Sequence, residues 1–542
     1  MKKILIILLL FTTTFSYNQE VLNLRYDLNY VINAFENIIV KDSFYYATSF
    51  STNLGSNYKK EATLTCIKFD GSIKTTTSYV NDTLGIQFIS THSDLINTLD
   101  NKFAVLAKTT NSSWDTNLMF YKLELNGDTL FTNYISDVIL DGNSILNDNT
   151  LIQNNDSTYN CIIHLSKDSN LLGGIALLKL SKTGELLWHK YFWGLGVNYY
   201  RILRANSLLK YDENRLLIGA TSIEAQNTPE NWKNHTKLIM TDTLGNLLWQ
   251  RTYWEDTINS QVNGLTKTSD GGVLYGGLYG RYSDIHNGIE YKPQITKLDE
   301  NFDLEWRIKL SKYGGGDYTF NNLLAINDSQ FVAVGNTNSY FYESEENHDF
   351  TTNGYLVKFN IHGEVLWERK YTKVPHFDGE NNWATHILLD VAITPDSGFV
   401  MVGESTNFYT NNSVSPGQQG WLVKVDKHGC LVPNCQQYDN VDTTITDTTI
   451  VDSTILVSEP VELYPNPANT TLYYYHTQTD TSQQQIALMY NLQGELVQQF
   501  NLSDTNITYS IDVTNLASGL YVFKVRSING NILRIEKIII QH

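Results

Sequence analysis

The chain has 542 residues, with 39 Lys and Arg against 57 Asp and Glu, and so a formal net charge of −18. A protein that binds a phosphate backbone needs a positive surface, so this charge argues against nucleic-acid binding. The length permits a large buried core and more than one domain. Aromatic residues make up 12% of the chain, which favours strands, where flat side chains pack well.

The first 16 residues are predicted to be a secretory signal peptide. Met1-Lys2-Lys3 supplies positive charge, an apolar run follows from Ile4 to Phe11, and Thr14-Phe15-Ser16 has small residues suited to cleavage. The apolar run is too short to span a bilayer. No other segment is long and apolar enough, so we expect no transmembrane segment in the mature chain. A buried N-terminal strand is the alternative for this segment.

Two turn markers recur through residues 17–435. The first is a tight turn before a strand that often carries Trp, as in Lys182-Thr183-Gly184-Glu185-Leu186-Leu187-Trp188. It recurs at positions 71, 127, 184, 245, 302, 363 and 429, at spacings of 56 to 66 residues. The second is an Asp before a short apolar strand, at positions 42, 100, 156, 212, 270, 328 and 396. Seven units made of strands and turns predict an all-β fold, a seven-bladed β-propeller.

The run from Lys182 to Trp188 resembles the repeats of quinoprotein dehydrogenases and of related non-enzymatic propellers. In that family the run is a structural turn, and its Trp docks between blades. The resemblance implies a quinoprotein-like fold of seven repeats. It does not imply a quinone, because the eight blades and the vicinal cysteine pair of the quinone enzymes are missing. We therefore expect no cofactor.

The two ends of the repeat region are expected to meet. The seventh unit has no fourth strand after Gly429, whereas residues 20–26 look like an unpaired fourth strand. We expect this N-terminal strand to complete blade seven, which would remove an exposed sheet edge. Cys430 and Cys435 follow at once and are predicted to form a disulfide, since a metal site would need two further ligands and only His428 is near.

Residues 436–458 are rich in Asp and Thr and are predicted to be a linker. Their Asp-Thr-Thr repeats resemble an O-glycosylation motif of exported Bacteroidota proteins, and a plain polar spacer is the alternative. Residues 459–542 alternate strands and turns and are predicted to be a small β-sandwich.

The sequence of this last segment resembles the type A C-terminal sorting domain of Bacteroidota type IX secretion substrates. The residues that carry the resemblance are Pro465, Asn466, Pro467, Gly494, Gly519 and Tyr521. The resemblance implies that the type IX machinery is a partner and that the protein crosses the outer membrane of a Gram-negative bacterium. It also implies that the domain is usually removed and that the protein is secreted or held at the cell surface. An ordinary adhesive sandwich domain is the alternative.

No catalytic motif is present in the sequence. It contains no His-Glu-x-x-His, no Gly-x-Ser-x-Gly and no phosphate-binding Gly loop. We therefore predict no catalytic, cofactor-binding or metal-binding residues. The acidic stretch around Glu343 and Asp349 could supply oxygen ligands to calcium, and a solvated loop is the alternative.

The one functional lead lies in the loops between the second and third strands of units four to seven. These loops, at 222–235, 279–292, 337–354 and 406–420, are longer than those of the first three units and are rich in aromatic residues. Together with the linker after the sixth unit they supply the candidate ligand-binding residues Trp232, Tyr279, Tyr282, Tyr291, Tyr340, Tyr342, Tyr409 and Trp383. Loops on a rigid scaffold often carry function, and aromatic rings suit sugars and proteins alike. Alternatively, these rings cap the apolar ends of the blades.

The sequence thus favours an exported, non-catalytic propeller that serves as a binding or adhesion module for an extracellular glycan or protein. The alternative is an extracellular polysaccharide hydrolase or lyase that uses a carboxylate pair on the same loop face. A structural surface protein without a ligand is the third possibility.

Overall fold

A computed structural model of the chain describes residues 21–28, 32–52, 60–80, 85–88, 95–110, 116–135, 143–167, 172–193, 201–225, 232–253, 259–283, 288–310, 319–344, 347–373, 383–408, 417–431, 435, 463–464, 467–476, 485–491, 496–502, 507–527 and 532–542. The expected signal peptide and the expected linker lie outside these residues.

The first three blades are antiparallel sheets, whose strands are called a to d in chain order. Blade one consists of β2 (Ile32–Lys41), β3 (Phe44–Thr52), β4 (Lys60–Lys68) and β5 (Ile73–Tyr79). Blade two consists of β6 (Gly85–Phe88) with β7 (Ile96–Asn97), β8 (Phe103–Thr110), β9 (Thr116–Leu123) and β10 (Thr129–Ile135). Blade three consists of β11 (Asn143–Gln153), β12 (Tyr159–Lys167), β13 (Leu172–Leu180) and β14 (Leu186–Trp193).

The next three blades repeat this order. Blade four consists of β15 (Arg201–Lys210), β16 (Arg215–Ala225), β17 (Trp232–Asp242) and β18 (Leu247–Tyr253). Blade five consists of β19 (Asn259–Lys267), β20 (Val273–Ser283), β21 (Gly288–Leu298) and β22 (Leu304–Lys309). Blade six consists of β23 (Thr319–Ala325), β24 (Gln330–Ser344), β25 (Asn347–Asn360) and β26 (Val365–Tyr371).

Blade seven takes its fourth strand from the other end of the chain. Its first three strands are β27 (Trp383–Ile393), β28 (Phe399–Phe408) and β29 (Gln419–Val425), and the fourth is β1 (Leu22–Tyr26). Strand β1 runs antiparallel to β29, with Leu22 opposite Lys424 and Tyr26 opposite Gly420. The prediction of an all-β, seven-bladed propeller is confirmed by these sheets.

The ring is closed by packing as well as by pairing. In the part of the chain that the structure describes, seven buried hydrophobic clusters each lie between two neighbouring blades. One cluster joins Phe35 and Ile38 of blade one to Val400 and Leu422 of blade seven. The backbone N–H of Ile38 also donates to Asp390 Oδ2 in blade seven at 2.8 Å. First and last blades are therefore neighbours.

The turn between strands c and d explains why the first sequence marker is usually Gly. Six of these turns have Gly at a positive φ of 73° to 92°, the left-handed region that favours Gly. A Cβ on Gly245 would also lie 2.7 Å from the Trp188 ring of the preceding blade. A Cβ on Gly429 would likewise lie 2.8 Å from the Trp367 ring. Blade five has Phe302 at this position, with φ 63°.

The a–b turns explain the Asp marker in three blades. Lys122, Lys297 and Lys424 on strand c have almost fully buried side chains. Each contacts the Asp of its own blade's a–b turn, at 2.6 Å from Asp100, 2.9 Å from Asp270 and 2.8 Å from Asp396 respectively. The marker thus supplies the charge that a buried ammonium group needs.

Residues 463–542 form the second unit. Strands β30 (Leu463–Tyr464), β31 (Thr471–His476) and β34 (Ile507–Asp512) make one sheet. Strands β32 (Gln485–Tyr490), β33 (Leu496–Leu502), β35 (Gly519–Ser527) and β36 (Ile532–Ile540) make the other. Leu472 and Tyr474 of the first sheet share a buried core with Met489 and Phe523 of the second, so this unit is a small β-sandwich.

Candidate functional site

The face of the ring that carries the b–c hairpins and the d–a linkers, here called the hairpin face, has two unequal sectors. Strands b and c of blade one have nine residues each, whereas those of blade six have 15 and 14. Blades four and five have 11 residues in each of these strands. The longer described ladders, those of blades four to six, are neighbours in the ring.

The extra length in these three blades is mostly ladder, and the sequence prediction of loops there is corrected. In blade six, backbone pairing continues to Ser344 opposite Asn347, well inside the predicted loop at 337–354. The ladder includes Tyr340 opposite Phe350 and Tyr342 opposite His348. Aromatic and β-branched residues favour strands, and the run Tyr340-Phe341-Tyr342 extends the hairpin rather than a loop.

Two of the predicted ligand-binding aromatics have described side chains, and both make internal contacts. Tyr279 is buried, and Lys309 Nζ lies 4.5 Å from the centre of its ring. Tyr291 is half-buried, and its hydroxyl accepts a hydrogen bond of 3.2 Å from Asn259 Nδ2. These two rings therefore contribute to the packing of blade five.

For the other candidates the structure gives backbone positions at most. Trp232 opens β17, Trp383 opens β27, and Tyr282 pairs with Ile289 in the blade-five hairpin. The side chains of these residues, of Tyr340 and of Tyr342 are outside the described part, as is the whole of Tyr409. The acidic stretch around Glu343 and Asp349 likewise has no described side chains.

A bulge on strand a places a polar residue at the same depth in several blades. The register between strands a and b shifts at Asn206, Asn263 and Asn321 in blades four, five and six, and at Glu36 in blade one. Each of the three Asn side chains reaches towards the next blade. Asn206 Nδ2 donates to Asn263 Oδ1 at 3.0 Å, Asn263 Nδ2 to the Phe320 carbonyl at 2.9 Å, and Asn321 Nδ2 to the Leu388 carbonyl at 2.8 Å.

Glu36 at this position is surrounded by polar side chains from three blades. Gln87 of blade two hydrogen-bonds the Glu36 carboxyl group and accepts a 2.9 Å hydrogen bond from Lys60 Nζ. On the other side, Gln418 donates to Glu404 Oε2 in blade seven. We call Glu36, Lys60, Gln87, Glu404 and Gln418 the Glu36 cluster.

The carboxyl groups of this cluster hold their protons more tightly than exposed ones. Burial raises the pKa of Glu36 well above its usual value and outweighs the opposing effects of Lys60 and Gln87, and the nearby Glu404 raises it further. Burial raises the pKa of Glu404 to about 7, although the hydrogen bond from Gln418 opposes this. Burial also lowers the pKa of the adjacent Lys108. The cluster can therefore exchange protons near neutral pH.

Other buried ionisable groups near the axis are held by the scaffold. Asp390 accepts hydrogen bonds from the backbone N–H groups of Ile38 and Val391 and from Asn322 Nδ2, and burial raises its pKa to about 6. His386 bonds to the Thr352 carbonyl at 2.9 Å and packs edge-on against Trp421, and burial lowers its pKa to about 4. These groups stabilise the seams between blades six, seven and one.

The end of the propeller carries a covalent link. Cys430 and Cys435 form a disulfide with a Cα–Cα distance of 5.6 Å. Cys430 is buried, and its backbone N–H donates to Asp426 Oδ1 at 2.8 Å. The bond therefore ties the chain that leaves blade seven to the c–d turn, on the opposite face from the hairpins.

The C-terminal sandwich matches one known family. Residues 462–541 match the family model described as secretion system C-terminal sorting domain. The chain carries a type IX sorting domain. This domain implies interaction with the type IX secretion machinery, and it indicates that the protein is secreted across the outer membrane, to the cell surface or the medium.

The predicted motif residues of the sorting domain are partly described. Gly519 opens β35, and Tyr521 Oη donates to the Ala517 carbonyl at 2.9 Å, closing the turn before that strand. Pro467 is half-buried beside the bridge between Ala468 and Ile540. Pro465, Asn466 and Gly494 lie outside the described residues. No helix in the described part of the chain has the length and apolar character of a membrane span.

The rest of the chain is similar to solved propeller structures only at a distance. An α-L-arabinanase from Penicillium chrysogenum, solved with arabinobiose, is 13% identical, with a TM-score of 0.38 over 61% of this chain and 92% of that one. A variant of the Synechocystis apocarotenoid oxygenase is 10% identical, with a TM-score of 0.36 over 68% and 85%. Prolyl oligopeptidase B from Galerina marginata is 12% identical, with a TM-score of 0.36 over 69% and 46%. No curated protein matches the chain. These likenesses carry no functional argument.

Proposed function

We propose that the propeller is a non-catalytic binding module for an extracellular glycan, carried to the cell exterior by the sorting domain. The observation that carries this proposal is the unequal height of the hairpin face. Strand β24 is six residues longer than β3, so the described ladder of blade six is about 20 Å longer at roughly 3.3 Å per residue. We call the long ladders of the adjacent blades four, five and six the wall, and the rest of the hairpin face the low sector.

A glycan is favoured over a protein because the low sector offers hydrogen-bonding side chains, two of them in blade seven, which adjoins blade six. The Glu36 cluster contains donors and acceptors from blades one, two and seven. Sugars present hydroxyl groups that both donate and accept, and their apolar faces suit aromatic residues such as those predicted on the hairpins. The likeness of the repeats to quinoprotein propellers concerns the turn and its Trp, so the proposal includes no quinone.

The proposal is tested by shortening the tallest hairpin. Residues 340–350 are replaced by Asn-Gly, which joins the paired residues Ser339 and Thr351 by a two-residue turn and keeps the Thr352 carbonyl that His386 contacts. In affinity electrophoresis through xylan, mannan, arabinan or β-glucan, we expect at least one polysaccharide to retard the mature protein and the shortened variant to lose most of that retardation.

The matched control shortens a hairpin in the low sector. Residues 168–171 of blade three are replaced by Asn-Gly between the paired residues Lys167 and Leu172, and we expect retardation to be unchanged. Migration of the wild-type protein unaffected by every polysaccharide contradicts the proposal and redirects the search to a protein ligand.

A carboxylate pair supports the second candidate function, a polysaccharide hydrolase or lyase. Glu36 and Glu404 interact closely enough for the charge on Glu404 to raise the pKa of Glu36. One carboxyl group that keeps its proton beside another that ionises is the arrangement used for acid–base cleavage of glycosidic bonds. Release of new reducing ends by the wild-type protein, abolished by Glu404→Gln, would favour this function over simple binding.

A further inference from the structure

Blade one departs from its neighbours at the strand-a bulge. In blades four, five and six this position is an Asn whose side-chain amide donates to the following blade. In blade one it is Glu36, whose side chain is 4% exposed and whose Oε2 has no hydrogen-bond partner among the described residues. A buried carboxyl oxygen without a partner is costly, and such groups call for an explanation.

The residues around Glu36 come from blades that the ring closure brings together. Lys60 is the first residue of β4, and Gln87 lies in β6 and pairs with Lys108 across the blade-two ladder. Glu404 lies opposite Gly420 in blade seven, and Gln418 immediately precedes β29. All of these positions are within a few residues of the hairpin face.

Three residues of the Glu36 cluster are accessible to solvent, and the other two are buried. Lys60 is exposed, and Glu404 and Gln418 are partly exposed, whereas Glu36 and Gln87 are buried beneath them. Lys60 Nζ also lies 5.4 Å from the centre of the Phe50 ring, which places an apolar surface at the edge of the cluster. A ligand that contacts the three outer side chains therefore lies above the buried polar residues Glu36 and Gln87 and beside the ring of Phe50.

The composition of the cluster selects among ligands. Its two carboxyl groups disfavour a phosphate, and the ammonium group of Lys60 disfavours a cation. No group of three or more His, Cys, Asp or Glu residues suited to a metal occurs among the residues that the structure describes. An ammonium group donates, a carboxylate accepts, and amides and protonated carboxyls do both, so adjacent sugar hydroxyls can be satisfied simultaneously.

We propose that the Glu36 cluster is a binding subsite for the hydroxyl groups of a neutral sugar unit of the extracellular glycan. The inference rests on the proposed function and adds to it the place and the class of ligand. Lys60, Glu404 and Gln418 contact the sugar, and Glu36 and Gln87 hold these side chains in position from below.

The test uses the mature full-length protein and the polysaccharide that retards it. Lys60→Ala removes an exposed ammonium group without disturbing the core, and Glu404→Ala removes a partly exposed carboxyl group. We expect each to weaken retardation at least ten-fold. Lys68→Ala is the matched control, because Lys68 is an exposed residue at the other end of the same strand and on the opposite face.

A third variant separates a ligand subsite from a structural role for Glu36. Glu36→Asn restores the residue found at the bulges of blades four to six, so the fold is expected to keep or gain thermal stability while retardation falls. Wild-type retardation in Lys60→Ala and Glu404→Ala, with loss in the shortened blade-six hairpin, overturns the subsite and leaves the proposed function standing. If wild-type protein is not retarded by any of the polysaccharides, both fail.

Discussion

Tyr371 in strand d of blade six donates a hydrogen bond of 2.8 Å to the carbonyl oxygen of Gly429 in the c–d turn of blade seven. The same contact recurs around the ring, from Tyr26 to Gly71 at 2.8 Å, from Tyr79 to Gly127 at 2.7 Å and from Tyr253 to Phe302 at 2.9 Å. In these four blades a tyrosine hydroxyl of the outer strand thus holds the turn of the next blade. These bonds tie blades together at the face opposite the hairpins.

Tyr371→Phe is expected to destabilise the propeller by about 1–3 kcal/mol, because the buried Gly429 carbonyl loses its partner. Urea unfolding of the mature protein, followed by tryptophan fluorescence, measures this change. Tyr134→Phe is the control, since Tyr134 is a strand-d tyrosine that is 53% exposed, and we expect it to change stability little. Equal effects from both variants would contradict the role given to the Tyr371 bond.

Gly245→Ala is expected to destabilise the fold by roughly 2 kcal/mol or more, because φ there is 77° and the new methyl group would meet the Trp188 ring. Gly85→Ala serves as the comparison, since a Cβ there meets its nearest atom at 3.5 Å, an ordinary contact. Thermal unfolding should show a clear loss for the first variant alone. A Gly245→Ala protein as stable as the wild type would mean that the turn tolerates a side chain.

Asp396→Asn is expected to cost on the order of 3–5 kcal/mol, because it leaves the buried ammonium group of Lys424 without its carboxylate. Asp42→Asn is the matched control, an exposed residue at the same marker position in blade one. Adding Lys424→Met to Asp396→Asn removes the uncompensated charge and should recover most of the lost stability. Failure of this second change to recover it would indicate that the turn, rather than the ion pair, requires Asp396.

The pH dependence of this pair also has a definite sign. Burial alone would raise the pKa of Asp396, but hydrogen bonds from Lys424 and Thr394 outweigh burial and hold it below the usual value of 3.8. Its contribution to stability is therefore complete above about pH 4 and is lost as pH falls through the folded-state pKa. Acid unfolding of Asp396→Asn should show less pH dependence below pH 4 than the wild type.

Glu404 is expected to lower the stability of the fold as pH rises, whereas Asp396 lowers it as pH falls. Its folded-state pKa of about 7 exceeds the usual 4.5, so its favourable contribution is complete below about pH 4 and is lost as pH rises towards 7. His386, with its pKa lowered to about 4, opposes this trend in the same range, so the slope of the wild type alone does not isolate Glu404.

The difference in stability between the wild type and Glu404→Gln isolates the contribution of Glu404. The variant should gain stability relative to the wild type by on the order of 2 kcal/mol between pH 4.5 and pH 7.5, after allowance for solvent at this partly exposed group. Melting temperatures measured across this range test the prediction. A constant difference between the two proteins would contradict the raised pKa of Glu404.

The sequence was informative where structure is local. The c–d turn needs a residue with positive φ next to the Trp of the preceding blade, and the a–b turn needs a carboxylate beside a buried Lys. Both requirements recur in several blades. The residue types at the positions of Gly245 and Asp396 therefore repeat periodically in the sequence and predict the fold. The heights of the hairpins were less predictable, because whether residues beyond Thr337 continue the ladder or form a loop depends on pairing with the opposite strand.

The Glu36 cluster has no periodic marker in the sequence. Glu36 and Glu404 belong to opposite ends of the propeller sequence, and only the closure of blade seven onto blade one makes them neighbours. The bulge that places Glu36 inwards is a one-residue shift in pairing, which a single sequence does not reveal. The difference from Asn206, Asn263 and Asn321 becomes visible only once the four bulges are superimposed by the fold.

The location of β1 has a practical consequence for anyone who expresses or truncates this protein. A recombinant version trimmed to the first complete repeat, starting at residue 32, would discard the outer strand of the last blade and leave Gly420 to Lys424 with an unpaired edge. Such a protein would be prone to associate with other copies through that edge. A fusion partner placed close before Leu22 should likewise be given a generous spacer.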